Sequence, residues 1–541
     1  MNRGVPGSLH NHSFMNDRSR SKFSSPVFLL ALAAALIAIV VQSGELGSAD
    51  TMHRLQSTHS FWTSEPPVLP DEYPEFGVHG RNGSLQSWYG IGQSLLMLPP
   101  DLLGTAVQKL PLFDRYGDTD PTVRDIVVTY FTQIFVNVVT ALVCFRLLRQ
   151  FEFSVNHSVA GVLAFLLGTT HLHYTQNMME NNYICLLTLT GFCFQYEWLR
   201  TGSRRALLIG TGAFGLNLLT RLTTGMDLLA GALFVLLVLW FDGLRGRALW
   251  ERCRAYAMIA VPVFCFFGFL DRFYQFYRFG SWTNTYVGLV AKETLARDPS
   301  LPSNYPWTTP WHVGFFGALF APEKSIFLFD PLIMLALLML ALLWRRLTPA
   351  VRAYGIATFL MFLAYLSFYA RYFAWAGDFA WGDRYVSTAV QLVALVGIPL
   401  LLTFRREAGR VVWACGMALL CASLVIQFAS LTFWFPLEIY QMETLGHPTF
   451  VIALRMKDIV AFALGKMGVW GLNNVPMTQD PWDYVHITCW NFLPFLLRRV
   501  GEAPAWVVRI TFVFWYAALA ALVATLMRIR VVAKRMQETQ V

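Results

Sequence analysis

Residues 27–41 read VFLLALAAALIAIVV, without one charged or polar side chain. A helix made of this run is apolar on every face and has none to offer water. At about 1.5 Å of rise per residue it approaches, with its flanks, the roughly 30 Å of hydrocarbon in a bilayer. The run does not alternate apolar with polar residues, which excludes the strands of a membrane barrel. The same signature returns at Leu228–Phe241 and Leu332–Trp344. Gly47-Ser48-Ala49 loosely fits a signal-peptidase site, but the long tail ahead of residue 27 favours an uncleaved anchor.

Outward from that run, the 541 residues are 55% hydrophobic and 14% charged, a balance outside the range of soluble domains. The expected fold is an all-α polytopic membrane protein with about 12 transmembrane helices. The spans fall near 27–43, 123–145, 157–170, 182–198, 205–220, 224–242, 255–270, 326–344, 353–370, 386–403, 411–432 and 506–527. The net charge of +9 does not form the single patch that nucleic acid requires. Instead the cations recur between apolar runs, as at Arg146/Arg149, Arg200/Arg204/Arg205, Arg245/Arg247, Arg345/Arg346, Arg405/Arg406 and Arg528/Arg530. By the positive-inside rule these clusters and both termini are cytoplasmic, which places 23 of the 42 basic residues and 7 of the 33 acids inside.

The organisation that follows is a cytoplasmic tail at 1–26 and a transmembrane module at 27–432 with outside loops 44–122 and 271–325. An extracytoplasmic region at 433–505, a last helix at 506–527 and a cytoplasmic tail at 528–541 complete it. The long outside segments are rich in Trp, Tyr, Pro and Gly, which suits ordered loops with short interfacial helices at the headgroup level. Phe450–Met467 carries Arg455, Lys457 and Asp458 among apolar residues at helical spacing, the pattern of an interfacial amphipathic helix. Eight scattered cysteines give no disulfide framework and read as small helix packers.

Five short stretches could carry chemistry. Glu45 and Asp50 follow the first span, where a base for a lipid-borne substrate belongs; the alternative is that Asp50 or Ser48 caps a helix and Asp50 pairs with Arg54. His171, His173 and Glu180 lie in a short outside segment where they could support a divalent ion, or serve as hydrogen-bonded interfacial polars. Arg221, a cation on the outer side, wants an anion: Asp227 of the chain, or a phosphate gripped by its guanidinium. Residues 317–325 and 375–385 place glycine, aromatic and charged residues beside the membrane, with a local Asp383/Arg384 pair as the plain alternative. No P-loop, GxGxxG, HExxH or GxSxG motif is present, so any chemistry would use a substrate that arrives activated from the membrane.

An acid past the first span, Trp-Tyr-Gly-Ile-Gly-Gln-Ser-Leu-Leu at 88–96 ahead of Pro99-Pro100, Thr220-Arg221, Gly-Ala-Leu-Phe-Ala-Pro-Glu-Lys at 317–324 and Trp-Gly-Asp-Arg-Tyr at 381–385 occur in this order. In that order they resemble the GT-C superfamily of membrane glycosyltransferases. More narrowly, the chain is similar to bacterial members related to the protein O-mannosyltransferase and aminoarabinose transferase group. The resemblance implies inverting transfer of a sugar from a polyprenyl-phosphate or polyprenyl-diphosphate donor to a lipid, glycan or protein acceptor. It implies an active site facing the periplasm or exterior of a bacterial inner (plasma) membrane. The family's base would be Asp50, with Glu45 as second choice, although many relatives carry two nearly adjacent acids where this chain spaces them five apart. Arg221, Lys324, Arg384 and Arg371 would hold the departing phosphate. In metal-using relatives the first two outside loops help hold the ion, which makes Glu180, His173 and His171 candidate ligands for Mg or Mn.

A secondary transporter or flippase of a lipid-linked or anionic substrate, with 12 helices, is the rival from another class. It is disfavoured by the long first outside segment and the lack of similar halves. A non-catalytic envelope scaffold would leave Asp50 and Arg221 replaceable.

Overall fold

A computed structural model describes residues 25–69, 77–113, 121–378, 380–470, 489–501 and 503–538. The described residues are mostly helical, with one small antiparallel hairpin among them, Gly77–His79 paired with Leu85–Ser87 so that Val78 faces Gln86. The first half holds α1 (Pro26–Val41), α2 (Ala49–His59), α3 (Gly92–Gln108), α4 (Val123–Gln150), α5 (Val155–Gly168), α6 (His171–Gln176), α7 (Asn181–Thr201), α8 (Arg204–Leu218), α9 (Gly225–Phe241) and α10 (Gly246–Phe279). Then follow α11 (Tyr286–Arg297), α12 (Trp311–Phe320), α13 (Ile326–Phe329), α14 (Leu332–Leu343), α15 (Pro349–Tyr369), α16 (Ser387–Ala394), α17 (Gly397–Thr403), α18 (Arg405–Ser430), α19 (Pro436–Glu443) and α20 (Val451–Ala463). Leu493–Val500 and a long C-terminal helix, Ala505–Glu538, close the chain.

Among the described residues six helices are long and apolar enough to cross a membrane: α4, α9 with the turn before it, α10, α15, α18 and the C-terminal helix. Pro26–Val41, Val155–Gly168, Trp311–Phe320 and Ser387–Thr403 are apolar but only 10–17 residues long. The span expected at 386–403 is broken into α16 and α17. The one expected at 411–432 belongs to a helix that bends at Gly409, whose φ is +78°. The C-terminal helix runs on to Glu538, into the segment expected as a tail. Leu30, Ile37, Leu147, Phe165, Phe192, Leu335, Tyr354 and Leu392 belong to one continuous buried core built by α1, α4, α5, α7, α14, α15 and α16.

The amphipathic helix expected over Phe450–Met467 forms as α20, but Arg455 and Asp458 turn inward while Lys457 stays exposed. Arg455 is fully buried; it pairs with both carboxylate oxygens of Glu438 and donates from Nη1 to the carbonyls of Ala429 and Ser430, 3.0 Å each. Asp458 accepts from Gln441 at 2.7 Å, while Val460 and Leu464 lie exposed. Periodicity identified two faces, but the acid that draws the arginine inward lies in α19. All eight cysteines are free thiols.

Candidate active site

The connection from α1 to α2 turns through Gly44 and Gly47, both at positive φ. A Cβ on Gly47 would fall 2.7 Å from the Asn177 side chain, so this turn leans directly on the end of α6. Ser48 then caps α2 by accepting from the Thr51 amide at 3.3 Å. Asp50 and Arg54, four apart, share one face of α2, but they do not pair with each other. Each is drawn to a partner far along the chain.

Asp50 Oδ2 accepts from Arg384 Nη1 at 3.0 Å, and the Tyr89 hydroxyl donates to Oδ1 at 2.6 Å. Arg54 Nη1 lies 2.5 Å from Glu180 Oε2, while Arg221 bonds the other oxygen of the same carboxylate. Arg384 also reaches Asp378 Oδ2 at 3.3 Å, and the guanidinium of Arg54 sits 4.1 Å over the Tyr89 ring. Three acids and three arginines thus interlock across α2, the start of α7, the α8–α9 turn and the turn before α16. Burial pushes the Asp50 carboxyl upward, but Arg384 and Arg54 outweigh it and hold the group below its ordinary value. Glu180 is more deeply buried, and the guanidiniums of Arg54 and Arg221 hold it well below the usual carboxylate range. Both acids are therefore ionised at neutral pH.

Asp50, Glu180 and the three arginines line one cavity of about 830 Å³. Its remaining wall is largely aromatic, with Tyr286 stacked on Tyr89 at 6.0 Å and Tyr369 stacked on Tyr385 at 4.4 Å. Asp271 and Arg272 of α10 add a second polar patch. The cavity reaches the outer face of the bundle at Leu229 and Phe368, exposed by 68% and 39%.

Asp50, Arg221 and Arg384, 334 residues apart at the extremes, are thus brought together on one cavity. Others are not. Glu45 lines a separate narrow cleft beside His173 and Asn177, on the other side of the α1–α2 turn. Lys324 is buried and bonds two backbone carbonyls outside the cavity. Arg371 is exposed and lies outside the cavity lining, and its carbonyl accepts from the Thr309 amide. Asp227, a possible partner for Arg221, is satisfied instead by Thr188 and Tyr365 at 2.6 and 2.7 Å. The local Asp383/Arg384 pair does not form, because Asp383 accepts from the Tyr385 amide while Arg384 points to Asp50.

The residues named as ligands do not fit a divalent ion. Glu180 is spent on two guanidiniums, His171 Nε2 meets Asn137 Oδ1 at 2.9 Å, and His173 packs edge-on against Tyr174. Among the described residues no group of three His, Cys, Asp or Glu side chains is placed to hold a metal. Burial lowers both imidazoles to about 3, which leaves them neutral.

Arg54, Tyr89, Tyr286 and Tyr385 also line the cavity, and sequence alone does not single them out as site residues. Tyr89 sat inside the 88–96 stretch and Arg54 four residues after Asp50, so both carried a signal. The role of that stretch is now physical. A Cβ on Gly90 would meet the Leu219 carbonyl oxygen at 2.3 Å, and one on Gly92 the Thr220 Oγ1 at 2.1 Å. The two glycines let α3 close onto the backbone that presents Arg221, and the Gly92 amide donates to Leu219 O at 2.8 Å. Gly90→Ala is expected to cost about 1–3 kcal/mol by overpacking, read as a lower thermal-unfolding midpoint in detergent; an unchanged midpoint would show that the contact yields freely.

No protein-family model matches the chain, and no curated protein matches it.

Proposed function

We propose that the protein is a membrane glycosyltransferase of the GT-C type, which moves a sugar from a polyprenyl-phosphate donor to an acceptor hydroxyl. The observation that carries this reading is the meeting of an ionised carboxylate, Asp50, with the guanidiniums of Arg221 and Arg384 on one aromatic-walled cavity that reaches the outer face of the bundle. A lipid-borne phosphoglycoside needs those features together: an apolar entry, cations for phosphate and a base for the incoming hydroxyl.

In this mechanism Asp50 takes the acceptor proton as the acceptor oxygen bonds to the anomeric carbon from the face opposite the phosphate. The bond from that carbon to the phosphate oxygen breaks, its electron pair leaves with the phosphate, and the sugar inverts. Arg384 and Arg221 stabilise the charge that develops on the leaving group. In the resting site Arg384 is engaged by Asp50; an arriving phosphate competes for the same guanidinium and frees the carboxylate to act as base. No step uses a metal ion. In this reading the six long helices, together with α1, α5, α7, α8, α14 and the α16–α17 pair, make about 12 crossings of a bacterial inner membrane. Both termini are cytoplasmic, and the cavity faces the periplasm or exterior.

Arg221→Ala tests the phosphate assignment. It removes charge-assisted hydrogen bonds of about 1.5–3 kcal/mol, so the donor KM is expected to rise roughly 10- to 100-fold while the acceptor KM stays near wild type. An unaltered donor dependence would return Arg221 to a purely structural partnership with Glu180.

A further inference from the structure

Lys324 lies in the 317–325 stretch, which the mechanism above leaves without a role. Its side chain is buried, and Nζ donates to the carbonyl oxygens of Asp378 at 2.7 Å and Ala380 at 2.6 Å. Those carbonyls belong to the turn 375–385 that delivers Arg384 to the cavity. The turn is built from unusual backbone: Gly377, Asp378 and Gly382 have φ of +80°, +49° and +72°. A left-handed aspartate persists only where its surroundings hold it. The turn also has no slack, since a Cβ on Gly377 would lie 3.0 Å from the Arg384 amide nitrogen and one on Gly382 3.2 Å from Phe329 Cβ.

The other side of the contact is equally fixed. The amides of Lys324 and Ser325 both donate to Ala321 O, at 3.0 and 2.7 Å, and Ser325 Oγ donates to Leu319 O at 2.5 Å. Gly317 lies under the Trp375 ring, where a Cβ would fall 2.4 Å away. The 317–325 stretch is thus a bracket, and the ammonium is its bond to the turn.

We propose that Lys324 is a positioning residue, whose ammonium fixes the turn 375–385 so that Arg384 meets both Asp50 and the donor phosphate. What Arg384 holds rests on the glycosyltransferase reading; that Lys324 fixes the turn does not. The carboxylates of Asp383, Asp378 and Glu323 favour the ammonium and Arg384 opposes it, while the neighbouring His173 stays neutral and the Phe435 ring lies 5.0 Å from Nζ. Burial pulls the group down to about 8. The charged form is therefore present below that pH and lost above it, which weakens both bonds to the turn without any substitution.

The test uses the full chain in detergent and a polyprenyl monophosphate as probe, with binding measured at pH 7 and pH 9 for wild type, Lys324→Gln and Lys324→Arg. The same samples are digested briefly with trypsin to score cleavage after Arg384. Wild type is expected to bind at pH 7 and about 10-fold more weakly at pH 9, the change a small misplacement of a binding group brings. K324Q is expected to bind weakly at both pH values and to be cut at Arg384. K324R, which keeps its charge, is expected to bind at both and resist cutting. Wild-type binding and no new cut in K324Q would overturn the positioning role. Failure of wild type to bind at either pH would remove the donor reading instead, and the tryptic cut alone would then decide the role of Lys324.

Discussion

Glu180→Ala is expected to be the most destabilising single change in the cavity wall, at about 3–5 kcal/mol. The carboxylate is nearly inaccessible and holds Arg54 and Arg221 at once. Without it the buried guanidinium of Arg54 and the half-buried one of Arg221 face each other unpaired, and an unpaired buried charge costs more than the intact pair had contributed. The effect should appear as a collapse in yield and in the thermal-unfolding midpoint. The double change Glu180→Ala with Arg54→Met should recover part of the loss, because it removes one of the stranded charges. The contribution is insensitive to neutral pH: Glu180 titrates well below its unfolded value, so the stabilisation is fully present above the ordinary carboxylate range and is lost only on strong acidification. A Glu180→Ala protein as stable as wild type would mean that the two arginines find other partners.

Asp50→Asn is expected to have the largest effect on turnover, a loss of roughly 10²- to 10⁴-fold in sugar transfer. The fold should barely register it. Asparagine can still accept from the Tyr89 hydroxyl, and Arg384 keeps Asp378 as a partner, so stability should change by less than about 1 kcal/mol. Glu45 cannot take over, because it lines a different cleft. Transfer assays on Asp50→Asn and Glu45→Gln in parallel separate the two acids; full transfer by the first would remove Asp50 as the base.

Helices were legible wherever an apolar run exceeded the neighbouring turns in length, because a run such as Leu228–Phe241 has one physical solution in a bilayer. Their ends were less so. The division of 386–403 near Leu395 and the bend at Gly409 depend on local backbone that hydropathy does not register. In the site, types and order were readable but pairings were not. Asp50 and Arg54 look like partners on a helix surface, and Asp383 and Arg384 look like partners in a turn. Both readings fail for one reason: a buried ion seeks the arrangement that satisfies every neighbour, and here that arrangement crosses four separate segments. Lys324 and Arg371 show the converse, since proximity to a motif said nothing about which way each side chain turns.

We propose that this cavity cleaves a lipid-borne phosphoglycoside. The proposal is tested most directly by incubating the purified protein with a panel of labelled polyprenyl-phosphate sugars and an acceptor mixture, and following release of the free carrier phosphate. Wild type should release carrier from at least one member of the panel and Asp50→Asn from none; carrier release that proceeds equally in both, or in neither, would contradict the account.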